Sequence, residues 1–274
     1  MAAIGDTIIS VRELACGYGE TLVLENVSFD VRRGEVFVVI GGSGCGKSTL
    51  LMNMVGLFEP VHGVVEFEGE SLARARGAAR TRILRRFGVA YQNGALFGSM
   101  TLLENVRLPL EEYTDLPLDA MDLLARMKLK LVGLEAYAEF QPAEISGGMQ
   151  KRAGIARAMA LDPQILFLDE PSAGLDPVTS AELDALILRL ARSLGITFIV
   201  VTHELPSVYS IADRVIMLDK SARGIIASGT PQELRDQSHD PRVWQFFHRQ
   251  VAPVRAGGRT GPAAETFRPG GPRA

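Results

Sequence analysis

The run VFVVIGGSGCGKSTLLMNMVGL, residues 36–57, decides the fold of this chain. Val36 to Ile40 are all apolar and mostly β-branched, the mark of a short strand buried on both faces. They run without a spacer into GGSGCGKST, Gly41 to Thr49, and Leu50 to Leu57 then continue as an apolar, helix-like segment. Read from Gly41 to Ser48 the spacing is G-x-x-x-x-G-K-[ST], and strand, tight loop and helix form the setting that a phosphate-binding loop requires. Gly41, Gly44 and Gly46 let the backbone turn its amides toward phosphates, Lys47 reaches the terminal phosphates, and Ser48 is placed to ligate Mg²⁺. Gly42, Ser43, Cys45 and Thr49 complete the loop. Cys45 reads as a small loop residue rather than a nucleophile, and bound nucleotide is expected to shield it from thiol reagents.

Outward from this loop, the first third of the chain reads mainly as strands at Ile8 to Leu14, Val23 to Val31 and Val64 to Phe67, with turns at Gly17, Gly19, Gly34 and Gly69. The arginine-rich 71–86 reads as an exposed helix or loop. From about 93 to 160 the chain turns helical, and Leu123, Leu124, Met127, Leu131 and Val132 are spaced as one buried stripe. Strand and helix then alternate. Ile165 to Asp169, Thr197 to Val201 and Arg214 to Leu218 read as strands; helices are expected from Pro177 to Ser193 and from Glu204. The tail from Arg249 holds five Gly, four Pro, five Arg and one acidic residue, so it is expected to be a flexible extension.

Composition narrows the function from the other side. A chain of 274 residues can bury a full core without metal or disulfide staples. Its net charge of −3 and 47% hydrophobic content exclude both a disordered polyelectrolyte and a broadly basic nucleic-acid coat, and no nucleic-acid partner is expected. Cys16 and Cys45 lie in separate segments without a CxxC neighbour, which fits a reducing compartment. No cationic leader precedes an apolar run, and no window approaches the ~18 apolar residues of a membrane span. Work at a membrane therefore needs a separate membrane subunit.

The chemical partners of the loop follow later strands. Asp169, at the end of ILFLD, is placed to hold Mg²⁺ through water, and Glu170 to orient and activate the attacking water. His203 follows the strand-like TFIVVT and is read as a contact to the terminal phosphate, against a core or capping role. Gln92, after VAY, is a candidate to meet the metal or the water.

In combination these residues resemble the ATP-binding subunits of ABC transporters over nearly the whole ordered length. The resemblance implies an α/β fold: a P-loop NTPase ABC-type nucleotide-binding domain over 1–248, with an N-terminal antiparallel β subdomain and an inserted helical subdomain at about 93–160, followed by the tail 249–274. It assigns Tyr18 of GYG to adenine stacking, GGSGCGKST to Walker A and Gln92 to the Q-loop. ISGGM, Ile145 to Met149, resembles the signature, in which Ser146, Gly147 and Gly148 would meet the terminal phosphate bound by a second copy of the chain. LFLDE, ending at Asp169 and Glu170, corresponds to Walker B, Ser172 to Asp176 to the D-loop, and His203 to the switch histidine. ATP and Mg²⁺ are the implied ligands, with Ser48, Gln92 and Asp169 as metal contacts and Lys47, Gln92, Glu170 and His203 as catalytic groups.

The signature departs from LSGGQ at Ile145 and Met149. The strings ISGGMQKRAGIARAMA, LFLDEPSAGLDPVTS and FIVVTHELPSVYSIADRVIMLD are further similar to the ATPases of Mla/MCE-type lipid transport systems. That implies a polytopic permease, an MCE lipid-binding subunit, a phospholipid or other lipid cargo, and a peripheral position on the cytoplasmic face of the inner or plasma membrane. The segment after Gln92, GALFGSMTLLENV, resembles the surface that receives a permease coupling helix, although its apolar residues also fit a core. Two other readings stay open: the ATPase of a polar-solute importer, and a nontransport switch driven by ATP.

Overall fold

The computed structural model describes residues 6–18, 21–92 and 94–248. The tail expected at 249–274 lies outside the described residues, and for Tyr18 the description extends to the backbone alone. Two sheets form the frame. One is antiparallel and four-stranded: β1 (Thr7–Tyr18) lies between β2 (Thr21–Arg32) and β4 (His62–Phe67), and β5 (Glu70–Ser71) follows β4 at the edge. The other is six-stranded. β3 (Val36–Gly41) lies between β8 (Thr197–Val201) and β9 (Arg214–Asp219), β7 (Ile165–Asp169) and β6 (Phe87–Ala90) follow β8, and β10 (Gly224–Gly229) runs antiparallel outside β9.

Every residue of β3, β7 and β8 is buried, which is why their sequences show no alternation. The two faces feed different cores. Val36, Val38, Leu166, Leu168, Phe198 and Val200 point to the helices. Phe37, Val39, Ile165, Phe167, Ile199 and Val201 face the antiparallel sheet and helix α1 (Lys47–Met54). There Phe67, Phe87 and Phe167 form an aromatic knot, with ring centroids 5.1 to 6.5 Å apart, that joins the two sheets. The exposed 71–86 segment forms α2 (Gly77–Leu84), which buries Ile83.

Between β6 and β7 lie α3 (Leu102–Tyr113), α4 (Leu118–Leu131), two short 3₁₀ turns and α5 (Gly147–Ala158). The stripe expected on α4 is wrong in detail. Leu123 and Met127 are 62% and 54% exposed and Leu131 is also exposed; Val132 is buried as expected and Leu124 packs partly buried against the core, while Ala125, Lys128 and Leu129, not expected there, are buried. Apolar residues occupy two sides of this helix, and the core takes the side where small Ala125 permits close approach and Lys128 finds an ion-pair partner in Asp162.

The remaining helices of the described residues are α6 (Pro177–Leu194), α7 (Leu205–Ile211), α8 (Pro231–Gln237) and α9 (Pro241–His248). Asp184 of α6 is only 4% exposed; burial pushes its carboxyl up to about 6, although the Ser207 hydroxyl on α7 pulls the other way. A carboxyl whose folded value is raised favours the native state below the unfolded value, and that contribution is lost as pH rises through about 6. Asp184→Asn is therefore expected to stabilise the chain at pH 7 by roughly 2–3 kcal/mol, at 1.36 kcal/mol per pH unit, and by little at pH 4. Urea melts at the two pH values measure this, and equal effects at both would contradict it.

Candidate active site

Parallel register brings the chemistry to one edge. Val39 pairs with Val201, Val201 with Asp169 and Leu168 with Ala90, so the loops after β3, β6, β7 and β8 all leave from the same end of the sheet. The loop after β3 is committed to glycine by space as well as by φ. At Gly41 (φ 151°) an added Cβ would lie 2.4 Å from the Leu218 carbonyl oxygen, and at Gly46 (φ 104°) 2.9 Å from side-chain carbons of Val23 and Leu24. Gly46 caps α1 without a side-chain hydrogen bond, and the helix dipole favours an anion at this end. A cavity of ≈ 250 Å³ opens there, lined by Val23, Gly44, Gly46, Lys47, Ser48 and Thr49. Lys47 folds back over the loop, donating to the Gly41 and Gly42 carbonyls at 3.0 and 3.3 Å.

Cys45 corrects an expectation. It is 2% exposed and its side chain turns under the loop toward Gly41. Burial raises its thiol pKa more than Lys47 lowers it, so the thiol is protected without any nucleotide and does not serve as a reporter of binding.

Asp169 and Glu170 end β7 differently. Asp169 is buried; that burial and then the neighbouring Glu170 carboxylate raise its pKa, while Lys47 and the Ser48 hydroxyl lower it. Glu170 adopts φ 47°, an uncommon conformation for a side chain of this size, and its amide donates to Val201 at 2.8 Å. One carboxylate oxygen, Oε1, lies 2.8 Å from Nδ1 of the exposed His203, while Oε2 is buried without a partner among the described residues. An oriented carboxylate with one unsatisfied oxygen is a proton acceptor for a water placed beside it. His203 is thus neither core nor cap. Gln92 stands exposed in the turn after β6. The stretch beyond it is fixed by the buried Asn105, which accepts from the Phe97 amide and donates to the Phe97, Met100 and Thr101 carbonyls.

Ser146 caps α5, accepting from the Met149 amide at 3.3 Å. Ser146 and Gly147 are exposed, whereas Gly148 is buried so closely that an added Cβ would lie 2.5 Å from the Thr179 methyl group. Met149, where the signature departs from its usual glutamine, packs against the main core, so an apolar side chain suits its place. Asp176 caps α6, accepting from the Val178 and Thr179 amides and the Thr179 hydroxyl. Neither Ser146 nor Asp176 lines the cavity at the glycine loop. The sequence reading had no signal for the places of Val23 and Thr179, which come from contacts across the chain.

The donor set fits Mg²⁺. Asp169 Oδ1 is a buried oxygen with no hydrogen-bond partner among the described residues, and the Ser48 hydroxyl adjoins the same carboxylate. Mg²⁺ takes one or two protein oxygens and completes its shell with water and phosphate. Among the described residues no group of three or more His, Cys, Asp or Glu could hold a metal, and no helix is long and apolar enough to cross a membrane.

Comparison with known proteins agrees with this geometry. The ABC transporter family matches residues 24–173. The chain is 40% identical over 241 residues, 88% of each protein, to the intermembrane phospholipid transport system ATP-binding protein MlaF of Escherichia coli K12. It is 38% identical over 262 residues, 93% of this chain and 75% of the relative, to the probable ribonucleotide transport ATP-binding protein mkl of Mycobacterium leprae. Among solved structures, the dimeric post-hydrolysis ATP-binding cassette MJ0796 with ADP and phosphate matches at a TM-score of 0.72 and 29% identity, covering 81% of this chain and 98% of that one.

Proposed function

Because this chain belongs to the ABC transporter family, we propose that it is the ATP-hydrolysing subunit of a membrane transporter for phospholipid, acting as two identical copies beneath a polytopic permease. The likeness to MlaF over 88% of both chains is the observation that carries the lipid assignment. An MCE lipid-binding subunit completes the complex, and the chain sits peripherally on the cytoplasmic face of the inner or plasma membrane. Mla/MCE-type cargo need never touch it.

In this reading the triphosphate lies along the backbone of Gly42 to Ser48, and Lys47 exchanges its carbonyl partners for phosphate oxygens. Tyr18 stacks on the adenine. Mg²⁺, held by Ser48 and Asp169 with Gln92, supplies positive charge to the phosphates when bound. Glu170 Oε2 takes a proton from the in-line water while His203 steadies the other oxygen of that carboxylate and senses the terminal phosphate. Ser146, Gly147 and Gly148 of the second copy close over the phosphate, and Asp176 lies at the interface between copies. Exposure of Ser146 and its absence from its own chain's loop cavity support a head-to-tail pair. After cleavage, charge divides between ADP and phosphate and the pair opens.

The likeness to mkl favours one rival, a transporter of a polar solute. Affinity purification in mild detergent, followed by mass spectrometry of subunits and lipids, separates them. Recovery of a polytopic permease, an MCE protein and phospholipid is expected. Recovery with a solute-binding protein and no phospholipid would overturn the lipid assignment.

A further inference from the structure

Lys151 joins two parts of the site that the chain sequence keeps apart. It lies on α5, five residues beyond Ser146, which places it about 7.5 Å further along the helix at 1.5 Å per residue. Its Nζ donates to the Ala173 carbonyl at 2.5 Å and to the Glu170 carbonyl at 3.4 Å. The segment these carbonyls belong to has little regular structure: Glu170 holds a left-handed φ, and Ala173 and Leu175 close tight turns by donating to Glu170 and Ser172. A charge-assisted donor entering from a separate helix fixes such a turn more firmly than a neutral one. Burial lowers the Lys151 pKa, and the Glu204 and Glu170 carboxylates oppose that shift.

A second contact lies nearby. Gly148 packs on Thr179, whose hydroxyl donates to Asp176 at 2.5 Å. The start of α5 therefore meets the 170–179 segment at both ends, through Lys151 near Glu170 and through Gly148 near Asp176. Of the two, only Lys151 adds a directed hydrogen bond.

We propose that Lys151 is a positioning residue that locks the Ser146 helix to the turn carrying Glu170, so that the two move as one body. The inference rests on the head-to-tail pair proposed above. In that pair, Ser146 of one copy faces the ATP of its partner while Glu170 of the same copy serves its own ATP. The lock makes seating of phosphate at one site set the aim of the carboxylate at the other, and cooperativity between the two sites follows.

The test compares purified wild type, Lys151→Met and Lys151→Arg for Mg²⁺-dependent phosphate release, for its Hill coefficient in ATP and for binding of a fluorescent ATP analogue. Lys151→Met is expected to lower kcat by at least ~10-fold, since small misalignments of a reacting group are costly. Its nucleotide affinity should stay within twofold of wild type, its Hill coefficient should fall toward one, and Lys151→Arg should recover most of both losses. Thermal melting reports folding; if Lys151→Met melts early, Lys151→Gln, which keeps a neutral donor but loses the charge, replaces it. An unchanged kcat and Hill coefficient, or a loss of nucleotide affinity equal to the loss of turnover, would overturn the lock alone. Noncooperative hydrolysis by wild type would overturn both the lock and the pairing it depends on.

Discussion

Glu170→Gln is expected to cut ATP turnover by about 10²–10⁴-fold, the range of a lost general base, while leaving ATP affinity nearly unchanged. The amide keeps the shape of the side chain, so its Oε1 position can still meet His203, which lies 2.8 Å away in the native chain. It removes the basicity of the second oxygen, which is buried and unpartnered among the described residues. Phosphate release under saturating MgATP, with nucleotide binding measured alongside, checks both halves. Turnover equal to wild type would exclude Glu170 as the proton acceptor.

Lys47→Ala acts earlier. Its ammonium donates to two backbone carbonyls, at 3.0 and 3.3 Å, which it exchanges for phosphate oxygens. Charged hydrogen bonds of this kind contribute ~1.5–3 kcal/mol each, so ATP binding should weaken by roughly 10–100-fold. Titration with a fluorescent ATP analogue measures it. The same affinity in both proteins would contradict the phosphate cradle. The contrast between the two substitutions is itself informative, because one should lose binding and the other chemistry.

The order of strands and the chemistry at their ends were legible because a buried parallel strand leaves a short, unbroken apolar run. Val36 to Ile40, Ile165 to Asp169 and Thr197 to Val201 announce themselves in this way, and the acids, histidine and glycines that follow them inherit a common edge from parallel pairing. The helices were less readable. On α4, size misled: Leu123 and Met127 look like core residues, yet the buried side is marked by Ala125 and Lys128, which composition alone assigns to a surface. The shielding by nucleotide expected of Cys45 failed for a similar reason, since the direction of its side chain depends on the glycine conformations around it.

What the sequence could not carry is contact between distant segments. Lys151 resembles any other cation in QKR until α5 is laid against the turn after Glu170, and the closeness of Gly148 to Thr179 appears only with the same packing. β10, α8 and α9 also lacked a clear signal, being short and largely at the edge of the fold. None of their residues lines the cavity at the glycine loop.

The mechanism depends on ATP joining two copies, with the loop of one facing Ser146 of the other. Sedimentation velocity of the Glu170→Gln protein with and without MgATP tests this most directly. A monomer that becomes a dimer with saturating MgATP, and returns to monomer when nucleotide is removed, is the predicted result. A protein that binds ATP yet sediments as a monomer throughout would contradict it.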